Sequence, residues 1–306
     1  MSRIPIIPFE AGEALMDWRA LTDAFVAGHK FPEAEIGDTF LYRDPDTLLS
    51  RAAWIDGLGM AVKSATVFPG NTARGKPNIN GGVSLYSDTD GTLEAIVDFH
   101  LVTKWKTAGD SLLAARKLAR PDSRTILLVG AGSVARSLHA AYSAIFADAQ
   151  FLVWNRTHAK SQAFADSLDR TTASKDLQQA VGDADIIGSA TMTTEPVIKG
   201  DWLQPGQHID LIGAYRPDMR EVDDTALSRA RVFLDSFATT IGHIGEIAIP
   251  LASGALKRDD IVADFYDLDS FVRHDPSEIT LCKNGGGAHL DLMTSRYILD
   301  RWNATR

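Results

Sequence analysis

A glycine-rich turn between a buried strand and a helix carries the clearest chemistry in this sequence. The apolar run Thr125-Ile126-Leu127-Leu128-Val129 is followed at once by Gly130-Ala131-Gly132-Ser133-Val134-Ala135. Gly130 permits a tight turn, Gly132 lets the backbone approach a pyrophosphate, and Ala135 lets the helix pack closely on the strand. Because free N–H groups at a helix N-terminus attract anions, the turn predicts a dinucleotide phosphate site. The alternative is an ordinary glycine turn.

The residues after the next predicted strand indicate which dinucleotide binds. About twenty residues past the glycines, Asp or Glu suits the ribose 2′-hydroxyl of NADH, whereas Arg suits the 2′-phosphate of NADPH. Here the strand Phe151-Leu152-Val153-Trp154 is followed by Asn155, Arg156 and Thr157, with no acidic residue. A guanidinium pairs well with a phosphate, and the two neighbours add hydrogen bonds. The sequence therefore favours NADPH. The alternatives are that the cofactor is NADH, or that Arg156 is a surface residue that caps the strand.

Cations in the first part of this acidic chain are the second chemical signal. Arg51 and Lys63 lie within strand-like runs, where an unpaired charge is costly to bury. A substrate carboxylate is one possible partner, and an internal salt bridge is the other. Lys63 could also donate a proton if desolvation lowers its pKa. The other cations in this part include Arg43, Arg74, Lys104 and Lys106.

An α/β pattern positions the glycine turn. Strand-like and helical segments alternate from Thr125 to about Ser236, which predicts a doubly wound parallel sheet of the Rossmann type. Ligands of such sheets bind beyond the carboxyl ends of the strands. The residues expected to line this cofactor crevice are Ala190, Thr191, Met192, Ile212 and Gly213.

The first 120 residues predict a mixed α+β unit instead. A helical period covers residues 11–28 and another covers residues 103–119. Between them, strands are expected at residues 39–42, 48–54, 60–67, 82–86 and 93–98. The C-terminal segment 291–302 is again helical, and its apolar side chains need a partner surface.

Composition narrows the function classes. With 306 residues the chain can form two cores, and its net charge of −9 argues against nucleic acid as a partner. No apolar run approaches the ~20 residues that span a membrane, and no signal peptide is recognisable. The single cysteine, Cys282, excludes an intrachain disulfide framework and fits the cytoplasm. No metal site is predicted.

Five ordered segments resemble the ornithine cyclodeaminase and mu-crystallin family. They are Lys63–Asn71, Lys106–Ser111, the Gly130 turn, Asn155–Thr157 and Arg216–Glu221, and the likeness covers about residues 35 to 300. The resemblance implies a homodimer and a small substrate whose carboxylate and imine or amine carbon face a nicotinamide. It implies a substrate-binding and dimerisation domain formed by residues 1–119 and 289–306, and a Rossmann NAD(P)-binding domain formed by residues 120–288.

The resemblance also assigns roles to single residues. Lys106 stands where the family has a carboxylate-binding arginine, so either Arg51 shares the carboxylate or the substrate sits differently. Asn78 and Glu246 match ligand-contacting or pocket-mouth positions, and Thr107 and Gly286 match positions near the cofactor. The expected substrate-binding residues are Arg51, Lys63, Asn78, Lys106 and Glu246. The expected cofactor-binding residues are Lys106, Thr107, Gly130, Ala131, Gly132, Ser133, Val134, Ala135, Asn155, Arg156, Thr157, Lys160, Ala190, Thr191, Met192, Ile212, Gly213 and Gly286.

Tyr215 indicates the branch of the family. Cyclodeaminases resemble one another in an acidic residue at this place, and a tyrosine with a pKa of about 10 is a poor base at neutral pH. Together with Arg156, it predicts an NAD(P)H-dependent reductase of cyclic imino acids. The expected reaction reduces Δ1-pyrroline-2-carboxylate to L-proline, with Δ1-piperideine-2-carboxylate to L-pipecolate as the six-membered counterpart. Lys63 is the expected proton donor, and His289 is a second candidate that a structural role would equally explain.

Three alternatives stay open at this point. An ornithine cyclodeaminase would release ammonia from ornithine without added reductant. An amino-acid dehydrogenase would depend on ammonium and an open-chain 2-oxo acid. A non-catalytic protein of the mu-crystallin kind would hold NADPH and a carboxylated ligand without turnover.

Overall fold

The computed structural model describes residues 4–306, which divide into two compact units. Unit 1 extends to Lys106 and includes Gly287–Arg306, whereas unit 2 is Thr107–Gly286. The division falls inside the helix Phe99–Leu118, ahead of the domain boundary predicted after residue 119. The predicted α/β fold class, with one parallel sheet and one mixed sheet, is confirmed.

The strands and helices are numbered along the chain. The strands are β1 Ile6–Ile7, β2 Glu35–Arg43, β3 Asp46–Ile55, β4 Gly59–Val67, β5 Ile79–Tyr86, β6 Leu93–Asp98, β7 Thr125–Val129, β8 Gln150–Trp154, β9 Thr171–Ala173, β10 Ile186–Ser189, β11 His208–Leu211, β12 Ala230–Leu234 and β13 Ile279–Lys283. The helices are α1 Phe9–Glu13, α2 Trp18–Gly28, α3 Phe99–Leu118, α4 Ser133–Ile145, α5 His158–Ala165, α6 Leu177–Asp183, α7 Asp224–Arg229, α8 Phe237–Thr240, α9 Gly245–Ser253 and α10 Ala288–Ala304. Within residues 4–306 no helix is both long and apolar enough to cross a membrane.

Unit 1 is built on a six-stranded sheet in the order β1-β6-β5-β4-β3-β2. Strands β2 to β6 form antiparallel neighbours, and β1 pairs with β6 in parallel. Helix α10 packs on β3, β4 and β5, which provides the partner surface that its apolar side chains require. Alternate residues of β4, from Gly59 to Ala65, are buried, as expected for a strand with one covered face.

The helix predicted over residues 11–28 is two helices, and the single-helix prediction is therefore wrong. Helix α1 ends at Glu13, and α2 begins after Asp17, whose carboxylate accepts the N–H of Ala20 at 2.8 Å. Asp is a strong N-cap because its side chain satisfies an N–H that has no partner in the helix. The apolar period continues through this break, which is why the pattern reads as one helix.

Unit 2 contains a seven-stranded parallel sheet in the order β12-β13-β11-β10-β7-β8-β9. Strand β7 has the predicted bounds. Strand β13 is absent from the sequence prediction although it lies between β12 and β11. Its five residues include Thr280 and Lys283, so the strand lacks the continuous apolar run of a typical buried parallel strand.

Candidate functional site

Three charged residues form a row across the sheet of unit 1. In the strand register Asp38 on β2 lies opposite Arg51 on β3, and Arg51 lies opposite Lys63 on β4. Directly opposed residues of antiparallel strands project from the same face, so the three side chains are neighbours. The register thus joins two cations that the sequence separates by twelve positions.

Lys63 is buried among groups that hold its ammonium in place. Its Nζ lies 2.9 Å from Thr103 Oγ1, 2.9 Å from Asp291 Oδ1 and 4.6 Å from the centre of the Phe99 ring. Burial lowers the pKa of Lys63 from its ordinary 10.5 to about 8, against the opposing effect of Asp291. Charge repulsion from Lys106 and Arg51 contributes to this lowering. An ammonium with this pKa can both hold and release a proton near neutral pH.

Asp291 on α10 connects the two lysines. Its Oδ1 lies 2.9 Å from Lys63 Nζ and 3.7 Å from Lys106 Nζ. Its Oδ2 is buried and has no hydrogen-bond partner among residues 4–306. Burial favours the neutral acid, yet the two lysines outweigh it and hold the pKa of Asp291 below its usual value. We call Lys63, Lys106 and Asp291 the lysine cluster.

Arg51 forms the internal salt bridge that is the alternative to substrate binding. Its Nε lies 3.1 Å from both carboxylate oxygens of Asp38, and its Nη2 lies 2.8 Å from Asp38 Oδ2. Arg43 is largely exposed and pairs with Asp46. The two arginines are therefore engaged by neighbouring carboxylates, while Lys106 is only loosely held.

His289 lies beside the lysine cluster as a neutral ring. Burial, followed by repulsion from Lys106, lowers its pKa to about 3. At neutral pH it therefore carries no proton to donate as an imidazolium.

The glycine turn of unit 2 has the form that a pyrophosphate site needs. Gly130 has a φ of 111°, and a Cβ there would lie 3.0 Å from the Ala190 carbonyl oxygen. Gly132 precedes α4, and a Cβ built on it would meet no atom of residues 4–306 within 4 Å. In the described part of the chain, no side chain forms a capping hydrogen bond at the N-terminus of α4. A dinucleotide phosphate therefore fits the space over Gly132 and the N-terminus of α4.

The segment after β8 presents unpaired positive charge. Arg156, Thr157 and Lys160 are exposed, and Asn155 donates its amide to the Thr157 carbonyl at 3.0 Å. Within the described part of the chain, no hydrogen bond or ion pair engages the side chain of Arg156 or Lys160. Both cations are available to an anionic ligand at this end of the parallel sheet.

The residues after β10 and β11 lie in backbone contact. A Cβ on Gly213 would lie 2.1 Å from the Thr191 carbonyl oxygen, so only glycine fits there. Ala190 and Ile212 are half-buried beside them, whereas Met192 is exposed.

Three of the predicted ligand-binding residues form hydrogen bonds with other parts of the chain. Asn78 Oδ1 accepts the N–H of Thr72 at 3.0 Å and so closes the short loop before β5. Glu246 is fully buried and accepts backbone N–H groups of unit 2. Gly286 donates its N–H to Asp235 at 2.5 Å, and Thr107 lies half-buried on α3.

The sequence analysis assigns no functional role to two buried acidic residues, Asp291 and Glu221. Asp291 stands at the first turn of a predicted helix, where an acid is usually read as favourable to the helix dipole. Glu221 ends the Arg216–Glu221 segment and there has no assigned role. In each case the signal was an acid next to apolar residues. Among residues 4–306 no group of three or more His, Cys, Asp or Glu residues could hold a metal ion.

Comparison with known proteins places the chain in a family. Residues 54–306 match the model of the ornithine cyclodeaminase/mu-crystallin family. The chain belongs to this family, which confirms the resemblance seen in the sequence.

Particular relatives narrow the comparison. A Δ1-pyrroline-2-carboxylate reductase of Paracoccus denitrificans is 49% identical over 291 residues, which are 92% of each chain. A ketimine reductase mu-crystallin of Rattus norvegicus is 32% identical over 247 residues, covering 80% of this chain and 77% of the relative. The solved structure of Thermococcus litoralis Δ1-pyrroline-2-carboxylate reductase in complex with NADH and L-proline has a TM-score of 0.89. It is 23% identical and covers 99% of this chain and 98% of its own, which shows a shared fold.

Proposed function

We propose that this protein is an NAD(P)H-dependent reductase of cyclic imino acids. Its expected substrate is Δ1-pyrroline-2-carboxylate, reduced to L-proline, and the six-membered Δ1-piperideine-2-carboxylate is the second substrate. The observation that carries this proposal is the lysine cluster, a buried proton source beside a second cation. The 49% identity to a reductase of the five-membered ring supports the choice of substrate.

The lysine cluster supplies what reduction of a carboxylated imine needs from the chain. The nicotinamide, when bound, supplies a hydride for the carbon of the C=N bond. The nitrogen must gain a proton, and Lys63 Nζ is the group that holds one with a pKa of about 8. Asp291 accepts from Lys63 and keeps the ammonium oriented.

Lys106 is the proposed ligand of the substrate carboxylate. Its ammonium is 3.7 Å from Asp291, a distance too long for a good hydrogen bond, so its donors remain available. The guanidinium of Arg51 forms a salt bridge with Asp38. Arg51 therefore contributes positive charge from the strand next to Lys63 and does not bind the substrate carboxylate directly. Lys lacks the planar fork with which Arg binds a carboxylate through two parallel hydrogen bonds. The Lys106 ammonium can therefore bind a carboxylate in more than one orientation.

NADPH is the proposed cofactor, with NADH as a weaker substitute. The Gly130–Ala135 turn would hold the pyrophosphate, and Arg156 with Lys160 would meet the 2′-phosphate. Neither cation has a side-chain partner among the described residues, so both can bind a 2′-phosphate. This supports NADPH as the cofactor.

A homodimer is the proposed assembly, formed through the edge strand β2. All nine residues of β2 are exposed, and they include Ile36, Phe40, Leu41 and Tyr42. A long apolar edge strand is a liability unless another chain covers it. Light scattering of the purified protein tests the assembly.

NADPH oxidation in the presence of Δ1-pyrroline-2-carboxylate tests the proposed reaction. We expect absorbance loss that depends on both the imine and the enzyme, with L-proline as the product. Ammonia release from ornithine without reductant would point to a cyclodeaminase instead. Tight NADPH binding with no turnover of either imine would point to a ligand-binding protein.

A further inference from the structure

One buried carboxylate of unit 2 joins the ends of two neighbouring strands. At the end of β10, Glu221 Oε1 accepts hydrogen bonds from Ser189 Oγ at 2.5 Å, from Thr191 N at 2.8 Å and from Thr191 Oγ1 at 2.9 Å. Its Oε2 accepts Gly213 N at 2.7 Å and Ala214 N at 3.1 Å after β11. Within residues 4–306 these five donors fill the carboxylate.

A carboxylate can accept from all five donors at once, because each of its two oxygens has two lone pairs. A glutamine has one acceptor oxygen, and its NH₂ group would face either the Ser189 and Thr191 donors or the two backbone N–H groups. Burying a charged group is costly unless hydrogen bonds replace its hydration, which these donors do. Both oxygens of Glu221 are therefore occupied at the carboxyl edge of the parallel sheet.

A second carboxylate fixes the backbone from which Glu221 projects. Glu246 accepts the N–H of Glu221 at 2.6 Å and that of Val222 at 3.1 Å. Because Gly213 and Thr191 are in backbone contact, a shift at either segment must displace the other. These contacts thus fix the positions of the two strand ends relative to each other.

We propose that Glu221 is a positioning residue of the dinucleotide site, which holds the Thr191 and Gly213 segments where the cofactor binds. This inference rests on the proposed function, since ligands of such sheets bind beyond the carboxyl ends of the strands. A displacement of about 1 Å at such a position can lower a reaction rate roughly a hundredfold.

Glu221→Gln tests this role with two measurements beyond activity. The fluorescence of bound NADPH gives its Kd without any imine, and 4-deuterated NADPH gives the isotope effect on hydride transfer. We expect the Kd to rise at least roughly tenfold and the isotope effect on kcat to increase, because hydride transfer becomes slower than the other steps. The matched control is Glu195→Gln, which lies exposed in the loop after β10 that contains Thr191, and it should change neither value.

Ser189→Ala keeps the test decisive if the glutamine variant does not fold. It removes one of the five donors, and we expect a rise of roughly twofold to fivefold in the NADPH Kd. Variants that lower the melting temperature while Kd and isotope effect stay at wild-type values would overturn the positioning role alone. A wild-type protein that binds no dinucleotide would instead overturn the proposed function and, with it, this role.

Discussion

Each unit contains a buried carboxylate, and the two are used in opposite ways. Glu221 in unit 2 fills both oxygens with five donors, three of them backbone N–H groups. Asp291 in unit 1 meets two lysines through one oxygen and leaves the other without a hydrogen-bond partner in the described residues. A carboxylate whose two oxygens are both fully hydrogen-bonded fixes the backbone around it. A carboxylate with an oxygen that has no hydrogen-bond partner can still bind a proton or a ligand.

The same contrast separates two cations of unit 1. Arg51 is held by Asp38 through two nitrogens, whereas Lys106 has a single loose contact with Asp291. We infer that the groups with unused hydrogen-bonding capacity perform the chemistry. The following substitutions test this distinction.

Lys63→Met should have the largest effect on catalysis. Loss of a positioned proton donor lowers kcat by roughly 10²–10⁴-fold, while NADPH binding is retained. In the wild type, kcat/KM should fall as pH rises through about 8, because Lys63 then loses its proton. Steady-state rates across this range measure both effects, with Lys104→Met as the control. A variant that retains wild-type rates would remove Lys63 from the mechanism.

Asp291→Asn should combine a large loss of stability with an altered pH profile. Removing one partner of a buried ion pair costs about 3–5 kcal/mol, because the remaining charges are left uncompensated. Asp291 raises the pKa of Lys63, so its loss should move the falling limb of the rate profile to lower pH. Urea unfolding and the kcat/KM profile measure the two effects. If the falling limb of the kcat/KM profile stays at the same pH, Asp291 does not set the pKa of Lys63.

Lys106→Gln and Arg51→Gln distinguish the two cations directly. A charge-assisted hydrogen bond contributes about 1.5–3 kcal/mol, so we expect Lys106→Gln to raise the KM for the imino acid roughly 10- to 100-fold. Arg51→Gln should raise it less than about fivefold, because Asp38 already holds that guanidinium. The reverse ranking would break the distinction between engaged and available cations.

Arg156→Ala should affect one cofactor and spare the other. We expect the KM for NADPH to rise roughly tenfold or more, while that for NADH stays constant, since only NADPH carries the 2′-phosphate. Arg124→Ala is the control, because Arg124 precedes β7 and pairs with the exposed Asp148. Equal losses for both cofactors would argue against phosphate recognition by Arg156.

Glu246→Gln should alter the pH dependence of stability. Burial, then the charge of Glu221, raises the pKa of Glu246 from its ordinary 4.5 to about 7. The folded state therefore binds more protons than the unfolded state between these values, and the free energy of unfolding falls as pH rises through them. In Glu246→Gln this fall should be reduced, as melting temperatures across the range would show. If the melting temperature of Glu246→Gln changes with pH as steeply as that of Glu195→Gln and the wild type, the prediction is wrong.

Local patterns predict much of the architecture. Strand β7, the turn at Gly130 and the meander from β3 to β6 follow from apolar periods and glycine placement within short windows. Lys63 stands out because a cation in an apolar strand needs a partner. These signals depend on residues close together in the chain.

The partners of the charged groups lie beyond such local patterns. Asp291 reaches Lys63 across 228 positions, and Asp38 meets Arg51 only through the strand register. A shift of one residue in that register would turn the side chains to the opposite face, which no composition rule detects. Glu221 likewise gains its role from backbone N–H groups, whose positions a sequence does not display.

Strand β2 joins the assembly of the protein to its chemistry. It carries exposed apolar residues such as Leu41 and Tyr42, and also Asp38, which holds Arg51. In the proposed homodimer through this edge, the partner would cover these apolar side chains, and dilution below the dissociation constant would expose them to water. Because association stabilises the folded chains by mass action, the melting temperature should fall as the protein is diluted and recover when it is concentrated.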